Sequence, residues 1–498
     1  DEPAMQALIE AASRARRAGR LVEAGRFELA AADAADRLGR ADESFDRRFQ
    51  AADDMSNSAP MATFAPVAES LAARAGNDRQ RGRAALAMAQ VHVQRGEIGE
   101  AAHHIATGLS AARAADDRRV EAELLYGDGY VHHWHRRLDA GLRSIEAAIA
   151  ILDEAGLLER ASEMRMSLSV VLRDVGRVRE AEAVVETMTR HSHEINSPDV
   201  TAKVWSLLAT LRLDTGDPDG AREAMRHALA AAIDADFSVP SWAGLAADRM
   251  HLEWQCGDYA QALRTYEEAR SDRRWTPSAH LIRAQRIGAE TMLELGRYDL
   301  VRTALQQIVG RVEAGVHAEL LVFLELRAGI VSAPAFFGTR PREAIKRITG
   351  VRGQTLLLAY FADALPARTA RALLREAIER AEAGGMRGYL AGLHAVHARV
   401  LHDAGQSPLA VDAARQALDY QQRHASVVYR PLVWLRCAQI LLAACERQAA
   451  VACLGEGRRW IDRVAASLPD AYRDSFLDRN PVNRELRGLA SRELAATR

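Results

Sequence analysis

Lysine is nearly missing from this 498-residue chain: Lys203 and Lys346 are the only two, and arginine carries the rest of the positive charge. With 66 Lys and Arg against 67 Asp and Glu, the net charge of −1 argues against a strongly basic, phosphate-binding surface, so no direct contact with nucleic acid is expected. The arginine bias fits a GC-rich coding sequence, although Arg is also the better residue for bidentate contact with carboxylates. Cysteine is scarce as well. Cys256, Cys437, Cys445 and Cys453 show no C-x-x-C spacing, which excludes a zinc knuckle and a disulfide scaffold and fits a reduced, cytoplasmic setting. The last three are expected to be buried small apolar residues. No stretch of 18 charge-free apolar residues is present, so no helix is expected to span or enter a membrane. No signal-peptide pattern opens the chain, and it begins at Asp1 without Met, as an excised piece of a longer protein would.

The usual signatures of catalysis are absent too. The segment GVRGQT (Gly350 to Thr355) lacks the lysine and spacing of a phosphate-binding loop, and there is no G-x-S-x-G elbow and no H-E-x-x-H. Histidines cluster at His103-His104, at His132, His133 and His135 around Trp134, at His191 and His193, and at His394, His397 and His402. Adjacent histidines on a helix point about 100° apart, and zinc needs four ligands in tetrahedral array. No metal, no cofactor and no enzymatic activity are therefore expected.

What the chain has in abundance is alanine. Hydrophobic residues make up 48% and charged residues 27%, but aromatics only 5% and proline only 14 positions, so the composition is all-α. A chain this long does not build one core; it forms several domains or an extended array. A recurring phrase, Gly-x-x-x-(Glu/Gln)-Ala, favours the array. It reads GRLVEA at Gly19, GEIGEA at Gly96, GRVREA at Gly176, GDPDGA at Gly216 and GDYAQA at Gly257. Weaker copies stand at Gly296 and Gly405, and His135 takes the glycine position in HRRLDA. From 96 to 296 the spacings are 39, 41, 40, 41 and 39, and the 77 residues from Gly19 to Gly96 hold two periods with the breakers Ser56, Asn57 and Ser58 between. Glycine in the left-handed conformation ends one helix, and the alanine after it begins the next with little bulk. A second small residue follows seven positions later (Ala31, Ala147, Ala228, Ala269, Ala417), so that the paired helices pack closely.

The stretch GDYAQALRTYEEA, Gly257 to Ala269, closely resembles the tetratricopeptide repeat, with Tyr259, Ala262, Tyr266 and Ala269 in family positions, and the preceding unit keeps Trp205, Leu208 and Ala209. The resemblance implies a right-handed superhelix, an α-solenoid of about 11–12 helical hairpins. The period near 40 exceeds the family's usual 34 and implies helices longer by about a turn in total. The phase is cleanest from 90 to 310. The parts expected are an N-terminal array over 1–330, an irregular break or hinge over 331–366 that carries Pro334 and Pro341, further repeats over 367–460, and a capping helix and tail over 461–498.

In such repeats the first helix of each hairpin lines the groove. The family register places Tyr126, His132 and His133 there, then Met166 and Arg173, Lys203 and Thr210, Asp248, His251 and Trp254, and Arg283, Arg286 and Glu290. This set of arginines, aromatics and one lysine suits an extended peptide or an acidic ligand. The lysine-and-asparagine carboxylate clamp of chaperone-binding relatives is not reproduced, which argues against a chaperone tail. The segment from Trp460 to Ala490 resembles the closing part of large bacterial ATPase-linked regulators of the maltose-regulator-like, LuxR and antibiotic-regulatory types. That resemblance implies a sensor arm that binds a partner protein, a peptide or a small inducer and acts on an effector outside this chain. A stand-alone scaffold or adaptor is the alternative.

Overall fold

The computed structural model describes residues 2–17, 20–56, 59–135, 137–190, 197–233, 239–271, 279–309, 316–346, 348 and 350–495. Among them the regular structure is helical throughout, with no strand. The repeat phrase is the turn between two helices: Gly96, Gly176, Gly216, Gly257, Gly296 and Gly405 have φ between 71° and 85°. At Gly216 the helix Pro198–Thr215 ends as its glycine N–H donates to the Leu213 carbonyl and the Asp217 N–H to that of Arg212. The next helix, Pro218–Ile233, begins at once, and Asp217 Oδ1 caps it by accepting from the Gly220 N–H at 2.9 Å. The phrase alanines Ala24, Ala101, Ala181, Ala221, Ala262 and Ala410 are completely buried between the paired helices.

Three details differ from the sequence expectation. In HRRLDA the second helix begins at Leu138, three residues after His135 instead of two, and the buried small residues are Gly141 and Ala148 while Ala147 is exposed. The register there sits one residue later than His135 suggested, because no glycine marks the turn. Cys445 is not buried: it is exposed and takes the turn position of the last hairpin with φ 61°. Gly19, Asn57, Ser58, His191 and His193, and the side chain of Ala269, lie outside the described residues.

The chain divides into two compact units, Asp1–Leu168 and Ser169–Arg498, with the boundary inside the helix Leu158–Asp174. In the first unit, side chains about one period apart tie neighbouring hairpins together. Arg16 grips Asp54 with bonds of 2.8 and 2.7 Å, and Arg160 grips Glu123 with two of 2.6 Å. Repeat spacing in sequence has become side-chain contact in space.

The second unit holds two rows of hairpins. The central row contains Pro198–Thr215 with Pro218–Ile233, Val239–Cys256 with Tyr259–Ser271, and Ala279–Glu294 with Tyr298–Val309. The later row contains Val351–Phe361 with Ala367–Gly384, Arg387–Asp403 with Ser407–Arg423, and Arg430–Ala443 with Arg447–Ser467, followed by Pro481–Ala495. The later row lies along the turns of the central one. A Cβ on Gly176 would meet Val351 and Met386, one on Gly216 would meet His424, one on Gly257 Trp460, and one on Gly296 Ser475 and Asn480. The turn glycines Gly39, Gly96, Gly156 and Gly405 face open space instead. Hydrogen bonds to turn carbonyls seal the contact: the Ala425 N–H donates to the Gly216 carbonyl at 3.0 Å, and the Asn480 side-chain Nδ2 to that of Glu294 at 2.8 Å.

The irregular segment 331–366 is where the chain passes between the rows. It contains the short helices Ala333–Phe337 and Pro341–Lys346, and then Val351–Phe361, which is already part of the later row. Arg436 closes that helix by donating to the Ala359 and Tyr360 carbonyls at 2.9 and 2.7 Å.

His394 sits in the core of this later row, stacked on Tyr420 at 5.5 Å, and neither ring nitrogen has a hydrogen-bond partner. Burial, with a smaller contribution from His397, pushes its pKa down to about 4. The folded state thus favours the neutral ring, so this contribution to stability is complete above the unfolded value of ~6.5 and is lost as pH falls toward 4. Urea unfolding is expected to show about 2 kcal/mol less stability at pH 5 than at pH 8 from this group. His394→Leu should flatten that dependence; an unchanged slope would show that other groups carry it.

Candidate functional site

The inner helices of the central row carry most of the expected groove residues, and polar side chains link one helix to the next at the repeat spacing. Arg173 Nε donates to Asp214 Oδ2 at 2.5 Å, 41 residues on. Ser206 donates to Asp248 Oδ2 at 2.7 Å, 42 residues on, and Asp248 also pairs with Arg283. Asp214, fully buried in the last turn of its helix, is the centre of this network. Its Oδ1 accepts from Tyr389 Oη at 2.9 Å and from Arg352 Nε at 3.2 Å, both of the later row. Burial alone would raise the Asp214 pKa, but Arg173 and Arg352 outweigh it and hold the carboxyl below its usual range.

His251 stands beside this network. Its Nε2 lies 3.1 Å from Gln255 Oε1, so Nε2 donates and Nδ1 keeps a lone pair. Burial, and then the positive field of Arg352, Arg286, Arg283 and Arg173, push its pKa well below the ordinary histidine value and keep the ring neutral. Four guanidinium groups therefore surround one uncharged imidazole. Arg286 donates to Glu290 Oε1 at 2.6 Å, and burial pulls its own pKa down despite Glu290.

Several of these buried groups are only partly satisfied. Arg173 Nη2, His251 Nδ1, Trp254 Nε1, Arg286 Nε and Glu290 Oε2 have no hydrogen-bond partner. A buried polar atom without a partner costs about 1–3 kcal/mol, so a cluster of them is unusual in a core that serves packing alone.

The other expected groove residues are placed differently. Thr210 is buried and bonds its own helix at the Leu207 carbonyl, 2.8 Å away. Lys203 is exposed and pairs with Asp199 one turn earlier. Trp205, a family repeat position and not one of the expected groove residues, is half-buried and stacks on His227 at 4.4 Å. Tyr126, His132 and Met166 belong to the first unit: Tyr126 donates to Ser167 at 2.9 Å, His132 lies 3.4 Å from Asp128, and Met166 is half-buried. The side chain of His133 lies outside the described residues. The residues that sequence reasoning missed are Asp214, Gln255, Arg352 and Tyr389. Asp214 stands one period after Arg173, and pairing opposite charges at that offset would have found it. No such signal exists for Arg352 or Tyr389.

This geometry defines a class of protein: an all-α array of tetratricopeptide-like helical hairpins with a polar cluster on its inner helices. Among solved structures, the Cut9–Hcn1 hetero-tetramer of the APC/C is similar at 12% identity over 98% of this chain and 96% of that one, with a TM-score of 0.50, and shows the same helical-repeat fold. NprR in complex with its cognate peptide NprX matches at 10% identity over 67% of this chain and 97% of its own, TM-score 0.44. A Rap protein complexed with competence and sporulation factor matches at 12% over 84% and 98%, TM-score 0.41. No family profile and no curated protein sequence matches the chain.

Proposed function

We propose that this chain is a non-catalytic receptor arm that binds an extended peptide, or an extended segment of a protein, along the inner helices of its second unit. The observation that supports this reading is the set of unpartnered buried atoms on those helices: donors on Arg173 and Arg286, and acceptors on Glu290 and His251. A peptide backbone brings both N–H and C=O groups, and an acidic side chain would meet the surrounding guanidinium groups in bidentate fashion. The ligand then completes bonds that the fold leaves open, and its binding energy biases an effector module joined to this chain. The resemblance of the closing segment to ATPase-linked bacterial regulators supports that last step.

The test is an array of short peptides probed with the purified chain, wild type beside the double variant Arg286→Gln/Glu290→Gln, which removes both members of one pair and preserves hydrogen-bonding shape. The wild type should select peptides with acidic residues, and the variant should bind them at least about tenfold more weakly with unchanged helicity, as expected for losing charge-assisted bonds. Equal binding by the variant would place the ligand elsewhere.

A further inference from the structure

A second site lies away from that cluster, where the two rows of the second unit meet. A cavity of about 700 Å³ opens between the turn after Thr215 and the later-row segments around Gly385 and 421–430. That size falls within the range of small-molecule pockets. Arginines approach it from three separate parts of the chain: Arg179, Arg387, and the pair Arg423 and Arg430.

The charges facing the cavity do not cancel one another locally. Asp219 is paired with Arg222 at 2.8 Å, Asp217 is occupied in capping the Gly220 N–H, and Arg423 is paired with Asp419. Glu182 leans toward Arg212 at 3.8 Å. Burial, and next the charge of Glu186, push its pKa up against the pull of Arg212 and Arg387. Among the described residues, Arg179, Arg387 and Arg430 are left with no ion pair and no side-chain hydrogen bond, and Arg430 Nε is buried. Gln421 adds an independent observation. Its side chain is nine-tenths buried at the cavity, its Nε2 donates to the Arg430 carbonyl at 3.4 Å, and its Oε1 has no partner.

We propose that this cavity is a binding site for a small phosphorylated metabolite that carries a hydroxyl group. Guanidinium groups converging from three segments suit an anion with several oxygens spread in space, better than a single carboxylate in one plane. The hydroxyl answers the open acceptor on Gln421. Because the walls come from both rows, an occupied cavity bridges the central turn at Gly216 to the segment 421–430.

The experiment is titration calorimetry of the full chain with three probes: inorganic pyrophosphate, ATP and citrate. The phosphate probes should bind saturably with Kd below about 100 μM, and more weakly as salt rises. ATP binding should also slow amide exchange in 421–430. The variant Arg179→Gln/Arg387→Gln alters two exposed side chains and should weaken that binding at least about tenfold. The variant Arg286→Gln/Glu290→Gln should leave it unchanged, which separates this site from the peptide site. No heat from either phosphate probe at about 1 mM would overturn the proposal, as would equal binding by the cavity variant. Citrate binding as tightly as both phosphate probes would overturn the phosphate assignment.

Discussion

Replacement of Asp214 by alanine is expected to destabilise the second unit by about 3–5 kcal/mol, the largest effect of any single polar substitution in the network. The wild-type carboxylate is completely buried and answers two guanidinium groups and one phenol. Removing it leaves Arg173 and the Tyr389 hydroxyl buried without their acceptor and the half-buried Arg352 with only the phenol oxygen, and the two cations then repel each other in a poorly solvated site. The cost comes from the charges left behind more than from the bonds lost. Tyr389→Phe removes one donor to Asp214 and the phenol oxygen that accepts from Arg352 Nε at 2.6 Å, but it leaves that guanidinium its carboxylate, so it should cost only about 1 kcal/mol. Urea unfolding of the full chain followed by circular dichroism measures both, and amide exchange in the helix Arg387–Asp403 localises the effect. A loss below about 1 kcal/mol for Asp214→Ala would mean that the rows are joined mainly by apolar contact.

The second large effect is expected from glycines that look equivalent in sequence. Gly96 and Gly296 occupy the same place in the repeat phrase and have nearly the same φ, 73° and 71°. Alanine at either position carries the left-handed penalty of about 1–2 kcal/mol. At Gly96 that is the whole cost, because a Cβ there has nothing within 4 Å. At Gly296 the Cβ would stand 2.6 Å from the Ser475 carbonyl oxygen and 2.9 Å from the Asn480 nitrogen, and backbone does not rotate aside as a side chain does. Gly296→Ala should therefore lose about 1–3 kcal/mol more than Gly96→Ala through overpacking. Thermal and urea unfolding of the two variants side by side gives the difference directly. Equal losses would show that the later row does not press on that turn in solution.

The repeat was legible because its cause is local. A helix needs a residue that accepts the left-handed conformation to stop, and a hairpin needs small residues where its helices touch; both recur wherever the unit recurs. The same logic placed His251, Arg286 and Glu290 on the first helices of their hairpins, Val239–Cys256 and Ala279–Glu294. It failed at HRRLDA, where no glycine pins the turn and the phrase slipped by one residue. It also failed at Cys445, which was expected to be a buried small residue and which the turn exposes.

Sequence by itself thus determined the elements of this protein: helices, their turns and the period near 40. Only the tertiary structure decided that a later row folds along the central turns, that Asp214 is the point where the two rows share charge, and that a cavity opens between them. The physical reason lies in sequence separation. Contacts within the array recur at one offset, as Arg173 with Asp214 at 41 residues, whereas contacts between rows join residues 138, 175 and 186 apart, with no common interval. A repeating pattern announces its neighbours one period away; a single fold-back depends on the complementarity of two whole surfaces, which no short phrase contains.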